Sequence, residues 1–417
     1  MRIICSTYLF AILFGFVACA RDNGGEVLPA YKEPPISGPV TDNAINKPTG
    51  FWFYLSWQDI TEEQIAREAP RRTVVIMQAW KNHYIPIFKK YNPDIKVLVY
   101  KNMSASIDTY ELDPKTGDTL ISTGVGYDYA AKNHPDWFLL DTDNNRIRFV
   151  DYNNLRQMDI GNSGYQEYWS NTVTAELIKY AWDGVFIDDV LFTVSEHHPG
   201  LKIKKYQTDT AFQTANKNML NVVQTKLKSA GKMSIGNMTG ALNAPGQWNE
   251  YLKYMDGALD EWWLVNGPGD YSGGDLWHSE MAEAASAAKM NKLILVQPHS
   301  SESDAKGYYY ALASYWLVND GNVSFSEQPV ADGYYLPYTW RPEYEWNMGK
   351  PLGGYDSVGT NFKYYRRDFT RAIVIVNPQV ANISINLDQT YLNEGGQRVS
   401  QIIMPPKTGT ILRRIFP

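Results

Sequence analysis

Two adjacent carboxylates, Asp188 and Asp189, close the run WDGVFIDDVL at residues 182–191. Val185-Phe186-Ile187 reads as a short strand opened by Gly184, and an unbroken apolar run of this length suits a strand covered on both faces, as in a parallel sheet. Acids at the carboxyl end of such a strand stand where an α/β barrel carries its chemistry. Glu261, followed by Trp262 and Trp263 in GALDEWW (257–263), offers a second carboxyl group in the same kind of place. Cleavage of a glycosidic bond needs two carboxyl groups flanking it, one as acid and the other as nucleophile or base. Asp188 fits the nucleophile. Glu261 fits the general acid/base, because the indoles beside it would raise its pKa. Strand alternation turns Asp189 away from Asp188, which makes it a supporting or substrate-binding candidate. Two plainer readings stay open at this point: an Asp that only caps the next helix, and a Glu261 paired with a neighbouring Lys or Arg.

The other strand ends add amides and indoles. Trp57, Gln78, Lys101, Asn102, Asn237, Trp262, Trp263 and Gln297 are the substrate-binding candidates. Amides and acids hydrogen-bond sugar hydroxyls, and indoles stack on the apolar faces of sugar rings. Against this, Trp57 has a core-packing alternative, and Lys101 could equally be an ion-pair partner for Asp188. Other chemistries have less support. The six His residues make no H-x-H or H-E-x-x-H pair, so no metal is expected. No G-x-S-x-G elbow, P-loop or dinucleotide fingerprint follows a strand, so no cofactor is expected.

Those residues need a scaffold, and the alternation of segments from residue 50 onward provides one. Strand-like runs at 51–57, 73–80, 95–104, 183–190, 232–238, 255–264, 292–298 and 322–327 alternate with helix-like segments, the longest at 206–229. Eight such units predict an α/β fold, a (β/α)8 TIM barrel over 49–348. The connection between the third and fourth strands is too long for a plain loop and carries a hairpin-like unit at 136–151. Its Asp141-Thr-Asp143-Asn-Asn145 run opens like an EF-hand loop, but Arg146 and Tyr152 replace the Gly and Glu that calcium requires, so it reads as a turn. From 352 to 417 only short strands and turns occur, which predicts a small antiparallel β-sandwich domain packed on the barrel.

The chain has 417 residues, a net charge of −6, and 13 Trp, 29 Tyr and 15 Phe. Acids and bases are mixed, so nothing points to nucleic acid as a partner. Arg2 and the apolar run at 8–17 predict a signal peptide over 1–19, too short to be a transmembrane helix. It ends Phe16-Val17-Ala18-Cys19, similar to a bacterial lipobox, so Cys19 is the expected lipidation site and the membrane a partner through that anchor. An ordinary signal peptide with an incidental Cys is the alternative. Residues 20–48, rich in Gly, Pro, Asn and Asp, read as a flexible tether. Cys5 and Cys19 are the only cysteines, so the folded part can form no internal disulfide.

The combination of HPDWFLLD (134–141), MDIGNSGYQEYW (158–169), WDGVFIDDV (182–190), GALDEWW (257–263), YYRRDFTRAIVIVNP (364–378) and MPPKTGTIL (404–412) resembles hypothetical glycosyl hydrolase family 15. This bacterial TIM-barrel family is unrelated to glucoamylases. The resemblance spans roughly 50–417. It implies a barrel followed by a β domain, a carbohydrate substrate, and Asp188 and Glu261 as the matching acids. The expectation is an envelope-held glycoside hydrolase acting by a retaining mechanism on an external oligo- or polysaccharide. A non-catalytic carbohydrate-binding lipoprotein is the alternative.

Overall fold

The computed structural model describes residues 49–108, 122–328, 340–359 and 363–416. The expected leader with Cys19 and the tether lie outside the described residues. No helix among the described residues is long and apolar enough to cross a membrane.

Eight parallel strands form one sheet in chain order: Gly50–Tyr54, Arg72–Met77, Lys96–Asn102, Gly184–Asp188, Met233–Asn237, Gly257–Asp260, Leu293–Val296 and Val323–Phe325. The sheet curls until its ends meet. At the seam the Phe325 N–H donates to the Thr49 carbonyl at 2.8 Å, and the Thr73 and Ser324 hydroxyls pair at 2.6 Å. The predicted (β/α)8 barrel is thus present. One helix expectation was incomplete: Gln247–Leu252 lies between the fifth and sixth strands, where the sequence shows no clear helical period. With only six residues it is too short for one.

Period-two alternation sorts each strand into an inward and an outward set. Phe51, Phe53, Val74, Ile76, Leu98, Phe186, Ile235, Leu259 and Leu295 fill the barrel interior. Their neighbours, such as Trp52, Val75, Val99, Val185 and Ile294, pack outward under the helices. The helices begin where polar caps satisfy their first N–H groups. Thr61 and Gln64 form a capping box for Glu62–Glu68, Asn162 caps Ser163–Lys179, and Thr208 caps Asp209–Ser229.

The long third connection folds over the barrel mouth with the loop after the fourth strand. Together they bury a small core of their own, including Leu139, Ile147, Phe149, Leu191, Val194 and Ile203. The expected turn is there: the Asp141 carboxylate accepts the N–H groups of Asp143 and Asn145 at 2.9 and 2.8 Å, with Asn144 left-handed at φ 67°.

The C-terminal unit is one six-stranded antiparallel sheet. One curled sheet supplies both layers expected of the sandwich. Ile383, Ile385, Tyr391 and Met404 of the Ile383–Leu392/Arg398–Met404 hairpin fold over Ile373, Ile375 and Leu412 on one face. Val374, Val376 and Ile411 on the other face join the barrel's core. The sheet lies close on the last barrel helix, Ala305–Val318: a Cβ on Gly409 would stand 2.5 Å from Ala313 Cβ, which only glycine avoids. Arg367 ties the two parts. Its buried guanidinium donates to the carbonyls of Trp316, Leu317 and Asn319 at 3.0–3.1 Å and pairs with Asp320, satisfying the helix's open C-terminus. Removing the fork leaves buried carbonyls unpaired, so Arg367→Met should lower unfolding stability by about 2–4 kcal/mol in urea titrations. A loss under about 0.5 kcal/mol, the range of ordinary surface changes, would show that the cap carries little.

Candidate functional site

The inward phase of the strands, continued past their last apolar residue, delivers one polar side chain after another to the barrel's C-terminal rim. After Ile76 comes Gln78, after Leu98 come Tyr100 and Asn102, after Phe186 comes Asp188, after Ile235 comes Asn237, after Leu259 comes Glu261, and after Leu295 comes Gln297. Three of these meet at one atom. The Asn237 Nδ2 donates to Asp188 Oδ1 at 3.0 Å and to Glu261 Oε2 at 2.7 Å. The two carboxylates, from the fourth strand and the sixth, are therefore bridged through the fifth. Their bridged oxygens can be no farther apart than the sum of those two bonds. Asn237 is held in turn by Thr239, whose hydroxyl donates to Asn237 Oδ1 at 2.9 Å and accepts the Glu261 N–H at 2.7 Å.

A further bond at this centre comes from Tyr100, whose hydroxyl donates to Asp188 Oδ2. Burial, the Asp189 charge and the Glu261 charge push the Asp188 carboxyl up to about 7, against the Tyr100 and Asn237 donors, which favour its anion. Burial likewise raises the Tyr100 phenol well above its usual range, with the surrounding carboxylates adding to it, so Tyr100 remains a proton donor.

Asp189 leaves the strand in a left-handed turn, φ 53°, a conformation that costs a non-glycine residue about 1–2 kcal/mol. Contacts hold it there. Asn102 Nδ2 donates to its Oδ2 at 2.5 Å, Ser104 Oγ to its carbonyl at 2.6 Å, and His197 Nε2 lies 3.2 Å from its Oδ1. Burial works against charge on His197, but the Asp189 bond and charge, with Glu196 and Asp151, outweigh it and push its pKa up to about 9. His197 is thus an imidazolium at neutral pH, stacked on Phe149 at 4.2 Å. Asn102 is committed further, its Oδ1 accepting the N–H groups of Ser104 and Ala105 at 2.9 Å. The pair Asn102–Asp189 reads as a brace for the acid strand.

Other candidates are placed differently. Lys101 is out of phase with the interior. It is fully buried on the helix side, 2.7 Å from Glu176 of Ser163–Lys179, and does not reach the rim or Asp188. Trp263 is fully buried in the main core, whereas Trp262 is partly exposed and lies over the His299 ring at 3.7 Å. Burial holds His299 down at about 4, so the ring beneath Trp262 is neutral. Gln297 sits at the rim but its amide is closed off from solvent, and among the described residues neither of its atoms, nor Gln78 Oε1, finds a hydrogen-bond partner. Trp57 is exposed and stacks on Trp80 beside the first two strands.

Sequence reasoning missed Tyr100, His197 and Tyr152. Tyr100 was legible by phase, two residues after inward Leu98. Tyr152 comes from the long third connection, where no periodicity applies. Its phenol is raised, by desolvation first and then by the charges of Glu261, Asp188, Asp189 and Asp151, although the residue is 58% exposed, and its ring stands edge-on to His197 at 6.5 Å.

A family model described as hypothetical glycosyl hydrolase family 15 matches residues 89–373, which include the whole acid cluster. A search of curated proteins found no match. Among solved structures, an Anoxybacillus alpha-amylase is similar at 10% identity and a TM-score of 0.49, over 85% of this chain and 89% of that one. The glycoside hydrolase domain of PelA from Pseudomonas aeruginosa is similar at 12% identity and a TM-score of 0.44, over 68% of this chain and 96% of that one. Aspergillus fumigatus Ega3, in complex with galactosamine, is similar at 10% identity and a TM-score of 0.44, over 73% of this chain and 100% of that one. Likenesses at this level bear on no chemistry.

The raised Asp188 pKa has a consequence for stability. Its carboxyl binds a proton more tightly folded, at about 7, than at the ordinary value of 3.8. The stability it contributes is therefore full below about pH 4 and is lost as pH rises through 7. Asp188→Asn lacks that loss. The variant should melt about 1–2 °C above the parent at pH 8, a gain of about 1–2 kcal/mol, and the difference should shrink toward pH 4. Equal melting at both pH values would mean the carboxylates do not strain one another.

Proposed function

Because the chain belongs to hypothetical glycosyl hydrolase family 15, we propose that it hydrolyses glycosidic bonds of an oligo- or polysaccharide with Asp188 as nucleophile and Glu261 as general acid/base. The observation that carries this is the single Asn237 amide bonded to both carboxylates, at 3.0 and 2.7 Å. Two oxygens so bridged lie closer together than the ~6.5–9.5 Å that an inverting enzyme keeps between its acids for a water molecule. That favours retention, in which one acid attacks the sugar directly.

The surroundings divide the roles. Tyr100 and Asn237 both donate to Asp188 and so favour the anion that attacks the anomeric carbon. Burial and the neighbouring charges favour a proton on Asp188 in the resting site, so attack requires that proton to pass to Glu261, which then delivers it to the leaving oxygen. Once the glycosyl group is on Asp188, Glu261 takes a proton from the incoming water, which frees the sugar and restores the pair. Asn237, Asp189, Gln78 and Trp262 supply the amides, acid and ring expected to orient the sugar around this centre. A non-catalytic sugar binder has no use for two carboxylates brought to one amide, so the hydrolase is the better reading.

We further propose export and a lipid anchor at Cys19, supported by Arg2, the apolar run at 8–17 and the Phe16-Val17-Ala18-Cys19 sequence. Cys19→Ser should move the protein from the membrane fraction to the soluble fraction of the envelope. Unchanged fractionation would remove the anchor.

For the chemistry, the purified chain is screened against aryl glycosides and plant and host glycans. Asp188→Asn and Glu261→Gln should each lower kcat by about 10³-fold or more, with melting curves showing an intact fold. Proton NMR of the first product should show the anomer retained. Full activity in either variant, or an inverted product, would refute the assignment.

A further inference from the structure

Resting on the reading of the barrel mouth as a carbohydrate site, we infer that Trp57 and Trp80 form a separate ring-stacking subsite, which makes the substrate a chain of several sugars. Trp57 is 62% exposed, and its ring lies on Trp80 at 4.5 Å with the planes only 15° apart. One face of Trp57 is backed by an indole and the other is open. Leaving so large an apolar side chain in water forgoes about 1.5–3 kcal/mol of burial.

The loop that carries it is not a loose one. Lys81 is fully buried, and its ammonium donates to the carbonyls of Trp57 and Gln58 at 3.3 and 2.8 Å and to the Asp59 carboxylate at 2.7 Å. The Tyr54 hydroxyl donates to the Gln58 carbonyl, and the Ser56 hydroxyl accepts the Gln58 N–H at 2.9 Å. A buried lysine is costly unless its donors are well paired, and this one is committed to fixing the backbone beneath an exposed indole. A rigid indole with one open face loses little entropy when a flat apolar ring settles on it. A pyranose presents such a face, and its hydroxyls point outward to water.

Position fixes what the subsite reads. Trp57 and Trp80 follow the first two barrel strands, while Asp188 ends the fourth and Glu261 follows the sixth. With strands ~4.8 Å apart, the first and fourth strand ends are on the same rim at a separation on the order of 15 Å, roughly three pyranose units. A monosaccharide held at the acids cannot reach the platform, whereas a longer chain crosses from one to the other.

The test is binding of malto-, cello-, xylo-, manno-, chito- and glucosamine oligosaccharides of two to six units, followed by calorimetry. The titrations use Asp188→Asn as parent, so that no cleavage intervenes, and the same protein with Trp57→Ala or Trp57→Phe. For the series that binds, Trp57→Ala should weaken the six-unit sugar at least tenfold more than the two-unit sugar, and Trp57→Phe should restore most of that difference. An equal loss at both lengths, no loss at any length, or no binding by any series would overturn the subsite. Cleavage by the wild-type chain is scored separately. Length-dependent binding through Trp57 without cleavage overturns the hydrolase and keeps the platform, and cleavage without length dependence does the reverse.

Discussion

The Asn237 amide stands between two carboxylates that repel each other, and most of the architecture serves to keep all three in place. Asp188 and Glu261 share that donor at 3.0 and 2.7 Å, with Tyr100 supporting the first from the third strand. In water the two acids would separate or be screened. Here each is the next inward residue of a parallel strand, and neighbouring strands are locked at ~4.8 Å spacing by ladder hydrogen bonds. Burial first, and the repulsion with it, appear as the upward shift of the Asp188 pKa, and the sheet bears their cost. That is how a site stores a poised proton: the scaffold's rigidity opposes the charges' tendency to part.

Two further structures stiffen this centre from opposite ends. Above the mouth, the third connection and the loop after the fourth strand bury their own apolar cluster and bring His197 onto Asp189, with Tyr152 edge-on to the His197 ring. His197 faces Asp189, the acid next to the carboxylate pair. Behind the last barrel helix, the curled C-terminal sheet packs on Ala305–Val318, with Gly409 allowing the close approach and Arg367 closing the helix end. The seventh and eighth strands flank that helix in the chain, so the sheet braces the side of the barrel nearest Gln297 and Trp262.

Much of this was legible from residue order. Alternation of apolar runs predicted eight strands because a strand covered on both faces must be apolar throughout. The same period-two logic, continued one step past each run, picks out Gln78, Asp188, Asn237, Glu261 and Gln297 as rim residues, and it would have picked Tyr100. It also separates Lys101, one residue out of phase, which pairs with Glu176 beneath a helix. Trp262 and Trp263 show where phase stops helping. Beyond the strand end the backbone turns freely, with Leu264 left-handed at φ 62°, and the sequence offered no reason why the second indole rather than the first should enter the core.

By itself, the sequence determined the barrel, the β-rich tail and the two acids, since each follows from local periodicity and residue type. Only the tertiary structure decided that one amide joins Asp188 to Glu261, that His197 meets Asp189, and that Tyr152 comes edge-on to His197 from a connection more than thirty residues earlier in the chain. Those facts depend on strand register and on loops packing against loops, contacts between residues far apart in sequence. The opening stretch at residues 182–191 therefore carries both lessons. Its pattern announces an acid at the end of a buried strand, and the fold alone sets which groups surround that acid and what charge it can hold.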